Sequence, residues 1–167
     1  MSSQLIGRKR IDKILEKFAK FAERHPGYRL HVFGEGEKEA ELKDLAGRLA
    51  IQGNVSFHGK VAHDILREHL KKARAMLVYT EKDNNMVSVV ESLACATPVV
   101  TTGVPYNASY IRANALGIVN DAWDENDLEE ICRNGGKYVA NCMAYRESLS
   151  TAKRVESFVD LAKGVLT

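Results

Sequence analysis

Two carboxylates stand out for where they fall in the chain. Asp83 lies in the polar run Thr80 to Asn85. Glu91 follows in a stretch otherwise rich in apolar side chains, Val87, Val89, Val90, Leu93 and Ala94. On a helix opening near Met86, Glu91 occupies the second turn and Asp83 the loop before it, so both face one crevice. A carboxylate among apolar neighbours has to be hydrogen-bonded or near water, because an unpaired buried charge is very costly. A vicinal diol such as a ribose satisfies both its oxygens. A nearby lysine or a free backbone group does so as well, and spacing alone favours that internal pairing. Three further clusters carry glycine: Gly34-Glu35-Gly36, His58-Gly59-Lys60 and Thr102-Gly103. Glycine lets backbone amides approach a ligand closely. The helix start near Met86 adds free N–H groups and the positive end of a helix dipole, which suits phosphate. Each glycine alone reads as a turn; the argument rests on the loops falling together.

The elements that would bring them together follow from periodicity. Ile11, Ile14, Leu15, Phe18 and Phe21 share one face of a helix over Ile11 to Arg24, stopped by Pro26-Gly27. Strands are expected at Tyr28 to Phe33, Val55 to Phe57, Ala75 to Tyr79, Pro98 to Thr102 and Gly117 to Asn120. Helices are expected at Glu37 to Leu49, Asp64 to Ala73, Met86 to Cys95 and Asn107 to Ala113. Two more close the chain, Asn126 to Val139 and Met143 to Leu166, with Asp124 as a cap for the first. Strand and helix in alternation imply an α/β fold: a Rossmann-like, doubly wound parallel sheet in three α/β/α layers. In such a sheet ligands bind at the carboxyl ends of the strands, where the glycine clusters fall. The order 3-2-1-4-5-6 needs a first strand in the middle of the sheet, and only Ser2 to Ile6 is available, either abbreviated or cut short at a domain boundary.

Composition narrows the class. The 167 residues, 45% hydrophobic and 28% charged, fit one soluble globular domain, and we read 1–167 as a single unit. A net charge of +2 gives no footprint for nucleic acid. There is no run long enough to span a bilayer and no signal-peptide core, and Cys95, Cys132 and Cys142 lack metal-like spacing. A reduced, cytoplasmic setting is expected. His31 inside a strand reads as structural, His63 and His69 as surface residues, and the Arg8-Lys9-Arg10 cluster as a solvated helix start.

The stretch from Asp83 to Glu91, with seven residues between the acids, and the following ESLACATPVV resemble the acidic signature of retaining GT-B glycosyltransferases of family four. The resemblance extends through GEG at Gly34 to Gly36, VSFHGKV at Val55 to Val61 and LGIV at Leu116 to Val119. It implies one half of a GT-B fold, the half that holds a nucleoside-diphosphate sugar, with the N-terminal acceptor-binding domain lying outside this chain. It implies that Glu91 holds the donor ribose, that Asp83 with Asn85, Met86 and Val87 contacts the sugar and phosphates, and that Lys9 binds the diphosphate. The diphosphate arginine falls on Gln4 or Arg8. Gly34, Gly36, His58 and Lys60 belong to the nucleotide side of the site, and no metal or other cofactor is expected.

The sequence departs from the pattern in places. The first acid is Asp rather than Glu, Asn84-Asn85-Met86 replaces Gly-Phe-Gly, and Ala96 replaces the glycine before Thr-Pro. The function implied is transfer of a sugar to an acceptor in surface glycan synthesis, by a parent enzyme that could associate peripherally with a membrane. The isolated chain is expected to be inactive. An epimerase or phosphorylase of the same architecture, or a degenerate nucleotide-binding or scaffold domain, fits the same residues.

Overall fold

The computed structural model describes residues 1–149. A 3-10 turn at Gly7–Lys9 leads into α1 (Ile11–Arg24), β1 (Leu30–Val32), α2 (Glu39–Arg48), β2 (Val55–Phe57), α3 (His63–Lys72) and β3 (Met76–Leu77). Then come α4 (Val87–Ala94), β4 (Val99–Thr101), α5 (Asn107–Ala113), β5 (Gly117–Val119), α6 (Glu125–Arg133) and α7 (Gly135–Arg146). All strand pairs are parallel, β1 with β2 in one group and β3-β4-β5 in another. Between the groups runs the N-terminal segment. Ser2 bridges Phe33, and the N–H groups of Ser3 and Leu5 donate to the carbonyls of Phe33 and Glu35 at 3.1 and 2.9 Å. With that segment counted as the first strand, the order is the doubly wound 3-2-1-4-5-6.

Side chains alternate across the sheet, so each strand feeds two cores. Leu30, Val32, Leu77 and Val100 pack with α1, α2 and α6, including the fully buried Ile14 and Leu15 of α1, and with the fully buried Leu5 and Trp123 outside those helices. Met76, Val78 and Val99 pack on the opposite face with Val89, Leu93, Ile111 and Cys142 from α4, α5 and α7 and with Leu116 just ahead of β5. Burial on both faces explains the near-continuous apolar runs at 75–79 and 98–101. α1 buries Ile11, Ile14, Leu15, Phe18 and Phe21, the stripe its spacing predicts. The indole N–H of Trp123 donates to the Val78 carbonyl at 3.0 Å, tying the chain before α6 to the end of β3.

The closing helices differ from expectation. One helix over Asn126 to Val139 is two, broken at Asn134, whose φ of −108° and ψ of 18° lie outside the helical range. Gly135-Gly136 supplies no side chain to hold the turn together, and α7 starts there instead. Asp124 does cap α6: its carboxylate takes the Asn126 N–H at 2.8 Å, and Asp127 takes the Asp124 N–H at 3.0 Å. The helix expected over Met143 to Leu166 appears as the last turn of α7 and a 3-10 turn at Glu147–Leu149; its remainder lies outside the described residues.

Candidate functional site

The crevice is built at the carboxyl ends of the strands. The turn before α1 is fastened to the loop after β3 by main chain and side chain together. The Arg8 carbonyl accepts from the Glu81 N–H at 2.9 Å and the Thr80 hydroxyl at 3.1 Å, and Arg10 pairs with Glu81 at 2.6 Å. Arg10 holds a left-handed backbone (φ 40°), which turns the chain into α1. This fastening brings Lys9 onto Asp83 as an ion pair, with 11% and 20% of the two side chains exposed. The other Asp83 oxygen accepts from the Asn84 N–H at 3.1 Å. The two residues that resemblance assigns to the diphosphate and the donor therefore neutralise each other. Gln4 and Arg8 are both exposed.

Asn107, fully buried at the start of α5, shapes the entrance to α4. Its side-chain oxygen accepts from the Met86 N–H at 2.6 Å, and its amide donates to Asn85 Oδ1 at 2.7 Å and to the Met86 carbonyl at 3.2 Å. The Met86 amide, expected from the resemblance to contact the donor, is thus taken by Asn107, and the Met86 side chain is buried. The N–H groups of Val87 and Ser88 have no such acceptor among the described residues and remain the open donors of the helix start. The Val87 side chain, 69% exposed, stands at the same edge. Nothing in the sequence around Asn107 points to this role.

Glu91 is neither an unpaired buried charge nor paired with a lysine. Its Oε1 meets His63 Nδ1 at 2.7 Å, with 29% of the Glu91 side chain and 87% of the His63 side chain exposed. His63, read from sequence as a plain surface residue, opens α3 and so connects the loop after β2 to α4. The signal available was its position three residues after His58-Gly59-Lys60.

The nucleotide-side glycines serve the main chain first. A Cβ on Gly34 would collide with the Ser3 carbonyl, and one on Gly36 with the Leu5 carbonyl, so both glycines admit the N-terminal segment into the sheet. The Gly34 N–H donates to the Gly59 carbonyl at 2.8 Å, and Glu35 accepts the Lys60 N–H at 3.3 Å, which joins the two loops. The Lys60 ammonium is exposed and has no ion-pair partner among the described residues. The His58 ring stacks on Phe33 (4.5 Å, 12°) and meets His31 Nδ1 at 2.9 Å, with His69 5.2 Å away. Burial and the neighbouring histidine His69 push His58 below its usual range, and burial with His58 and His69 does the same to His31. The rim thus runs from Gly34–Gly36 through Lys60, His63 and Glu91 to Val87, Asp83 and Lys9. Among the described residues, no grouping of His, Cys, Asp and Glu is arranged to hold a metal ion, and no helix is long and apolar enough to cross a membrane.

Comparison with known proteins bears on this geometry. The chain is 29% identical over 126 residues to alpha-monoglucosyldiacylglycerol synthase of Streptococcus pneumoniae, an alignment covering 75% of this chain and 28% of that protein. Its fold matches WaaG, a glycosyltransferase involved in lipopolysaccharide biosynthesis, with a TM-score of 0.75 at 22% identity, over 87% of this chain and 41% of WaaG. It matches the Anabaena protein HepE, solved in complex with UDP, with a TM-score of 0.75 at 16% identity, over 96% of this chain and 47% of HepE. The chain therefore spans less than half the length of these relatives. The family model described as glycosyl transferases group 1 matches residues 1–133, most of the chain, and the protein belongs to that family.

Proposed function

We propose that the chain is the donor-binding half of a retaining glycosyltransferase, holding a nucleoside-diphosphate sugar at the rim described above. The observation that carries this reading is the Lys9–Asp83 ion pair in the loop that leads into α4, whose first residues are Val87 and Ser88, with Glu91 one turn into the same helix. In the transfer, the bond from the anomeric carbon to the diphosphate oxygen breaks and a bond to the acceptor oxygen forms. The acceptor proton passes to the departing diphosphate. Negative charge grows on that leaving group, where a lysine and a helix start stabilise it most. Glu91 accepts the ribose hydroxyls, with His63 fixing one of its oxygens and leaving the other for the ligand. Gly34, Gly36, His58 and Lys60 border the nucleotide, and Asn85 and Asp83 border the sugar. No metal or other cofactor takes part.

UDP is the nucleotide to try first, because HepE was solved with it. The acceptor half comes from outside these residues, in keeping with the 28% of the pneumococcal relative that the chain spans. The parent works in the cytoplasm, in peripheral contact with a membrane, on surface glycans; this follows the kinds of relative found, one a diacylglycerol glycoside synthase and one involved in lipopolysaccharide. The isolated chain binds donor and transfers nothing.

A second reading has its own support. Lys9 and Asp83 satisfy each other, and Asn107 satisfies Met86, as in a domain that binds nucleotide without catalysis or acts as a scaffold. Calorimetric titration with UDP and UMP separates the two. Donor binding predicts tighter UDP than UMP, with the difference mostly lost in Lys9→Ala. Equal affinities, or none, support the scaffold.

A further inference from the structure

The bonds of Asn107 do more than hold the start of α4: they fix which way the neighbouring Asn85 presents its amide. The Met86 N–H is a main-chain donor and cannot reverse, so the atom it meets at 2.6 Å is the Asn107 oxygen, and the other arm of that side chain is its NH2 group. Asn107 is fully buried, so both hydrogens of that group need acceptors. They find Tyr110 Oη at 2.6 Å and Asn85 Oδ1 at 2.7 Å, with the Met86 carbonyl a longer third partner at 3.2 Å. The atom that Asn85 turns inward is therefore its oxygen. The Tyr110 hydroxyl, which accepts from Asn107, gives its own hydrogen to the same Asn85 oxygen at 3.2 Å.

Asn85 Oδ1 thus accepts twice, which uses both its lone pairs. The Asn85 NH2 group is left on the outer side of an exposed residue, with no hydrogen-bond partner among the described residues. Turning it inward would set it against the NH2 group of Asn107, donor against donor. Tyr110 is held in its turn by stacking on Tyr145 of α7, with ring centroids 5.8 Å apart and planes 15° from parallel. A buried residue of α5 therefore orients an exposed one that lies two positions after Asp83 and two before Val87. A donor held ready in this way loses little further side-chain freedom when a ligand arrives.

We propose that the Asn85 amide reads the transferred sugar, as a fixed donor to one of its oxygen substituents, and that Asn107 is the residue that positions it. This rests on the reading of the rim as a donor site. The group offers hydrogens and no lone pair. It takes a hydroxyl acting as acceptor or the carbonyl of an acetamido group, and a deoxygenated sugar position leaves it unmet. The nucleotide and diphosphate gain nothing from it, which separates its effect from those of Lys9 and Glu91.

The test is calorimetric titration of the full chain with UDP and with UDP-glucose, UDP-galactose and UDP-N-acetylglucosamine. The quantity followed is the ratio of Kd for the best-bound UDP-sugar to Kd for UDP. Asn85→Ala, a change at an exposed side chain, is expected to raise that ratio about three- to tenfold, the worth of one neutral hydrogen bond, and to leave UDP unchanged. Asn107→Asp keeps the volume and the bond from the Met86 N–H but offers Asn85 a second acceptor. That turns the Asn85 amide inward and its oxygen outward, and the ratio should rise by the same factor. The added charge does not imitate this, because it acts on UDP at least as strongly. In the Asn85→Ala background, Asn107→Asp should move the ratio no further. If the buried charge keeps Asn107→Asp from folding, NMR of the parent decides: the Asn85 side-chain NH2 signals shift with UDP-sugar and not with UDP, and those of Asn107 stay in place. An unchanged ratio in either single variant overturns the proposal, as do a further rise in the double variant and Asn85 signals indifferent to the sugar. UDP binding with none of the three UDP-sugars bound sinks the proposal alone, whereas no binding of UDP sinks the donor reading and the proposal with it.

Discussion

The ion pair between Lys9 and Asp83 makes a prediction with an unusual sign. Replacing Asp83 by Asn keeps the volume and the hydrogen bond to the Asn84 N–H while removing the charge that holds Lys9. A diphosphate bound to Lys9 lies within about 5–6 Å of that carboxylate, a repulsion of about 3 kcal/mol at an effective dielectric of 20 and under about 1 kcal/mol in bulk water. With 20% of the Asp83 side chain exposed, the gain on removing it falls between, about 1–2 kcal/mol. Asp83→Asn should therefore bind UDP about five- to thirtyfold more tightly, and UMP with a smaller gain. Stability should move the other way, by about 1 kcal/mol, because Lys9 loses its partner in a half-buried place. Titration calorimetry at fixed ionic strength, beside melting curves, reads both. If Asp83→Asn binds UDP no better than the parent, or less well, Lys9 does not reach the diphosphate and the rim has been assembled wrongly.

Three further perturbations test other parts of the argument. Glu91→Gln should weaken UDP about ten- to a hundredfold with little change in Tm, since the carboxylate is bound internally only by the exposed His63; unchanged affinity with a lower Tm would make Glu91 a structural residue. Ala96 sits just past the end of α4 with φ 59°, a conformation that costs a residue with a Cβ about 1–2 kcal/mol. Ala96→Gly should therefore stabilise the chain by about 0.5–1 kcal/mol after the entropy of the unfolded glycine is counted, and chemical denaturation showing a loss would contradict the backbone assignment. His31 and His58 are pushed below the ordinary imidazole range by burial and by the histidines around them, so just below that range the unfolded chain binds protons that the native chain does not. Stability should accordingly rise with pH across that window, and His31→Gln with His58→Gln should remove that part of the slope in denaturation curves read at each pH.

Much of the architecture was legible because it is written within a turn or two of chain. The bounds of α1, β2 and α5 agree with the periodicity of their side chains, and Asp124 caps α6 through bonds to residues only two and three positions away. Where two local signals competed, the reading failed: an apolar pattern ran on past Asn134, while Gly135-Gly136 broke the helix there. The pairs that define the candidate site lie beyond any such window. Lys9 meets Asp83 across 74 positions, His63 meets Glu91 across 28, and Asn107 holds Met86 across 21. Residue type and place in the chain marked Asp83 and Glu91 as capable of chemistry, and the family resemblance alone marked Lys9. It did not show that Asp83 neutralises Lys9, or that His63 rather than a lysine holds Glu91. Nor did it show that the Met86 amide turns inward. Those outcomes depend on which loops the parallel sheet sets side by side, and that placement is decided by the packing of whole helices on the two faces of the sheet.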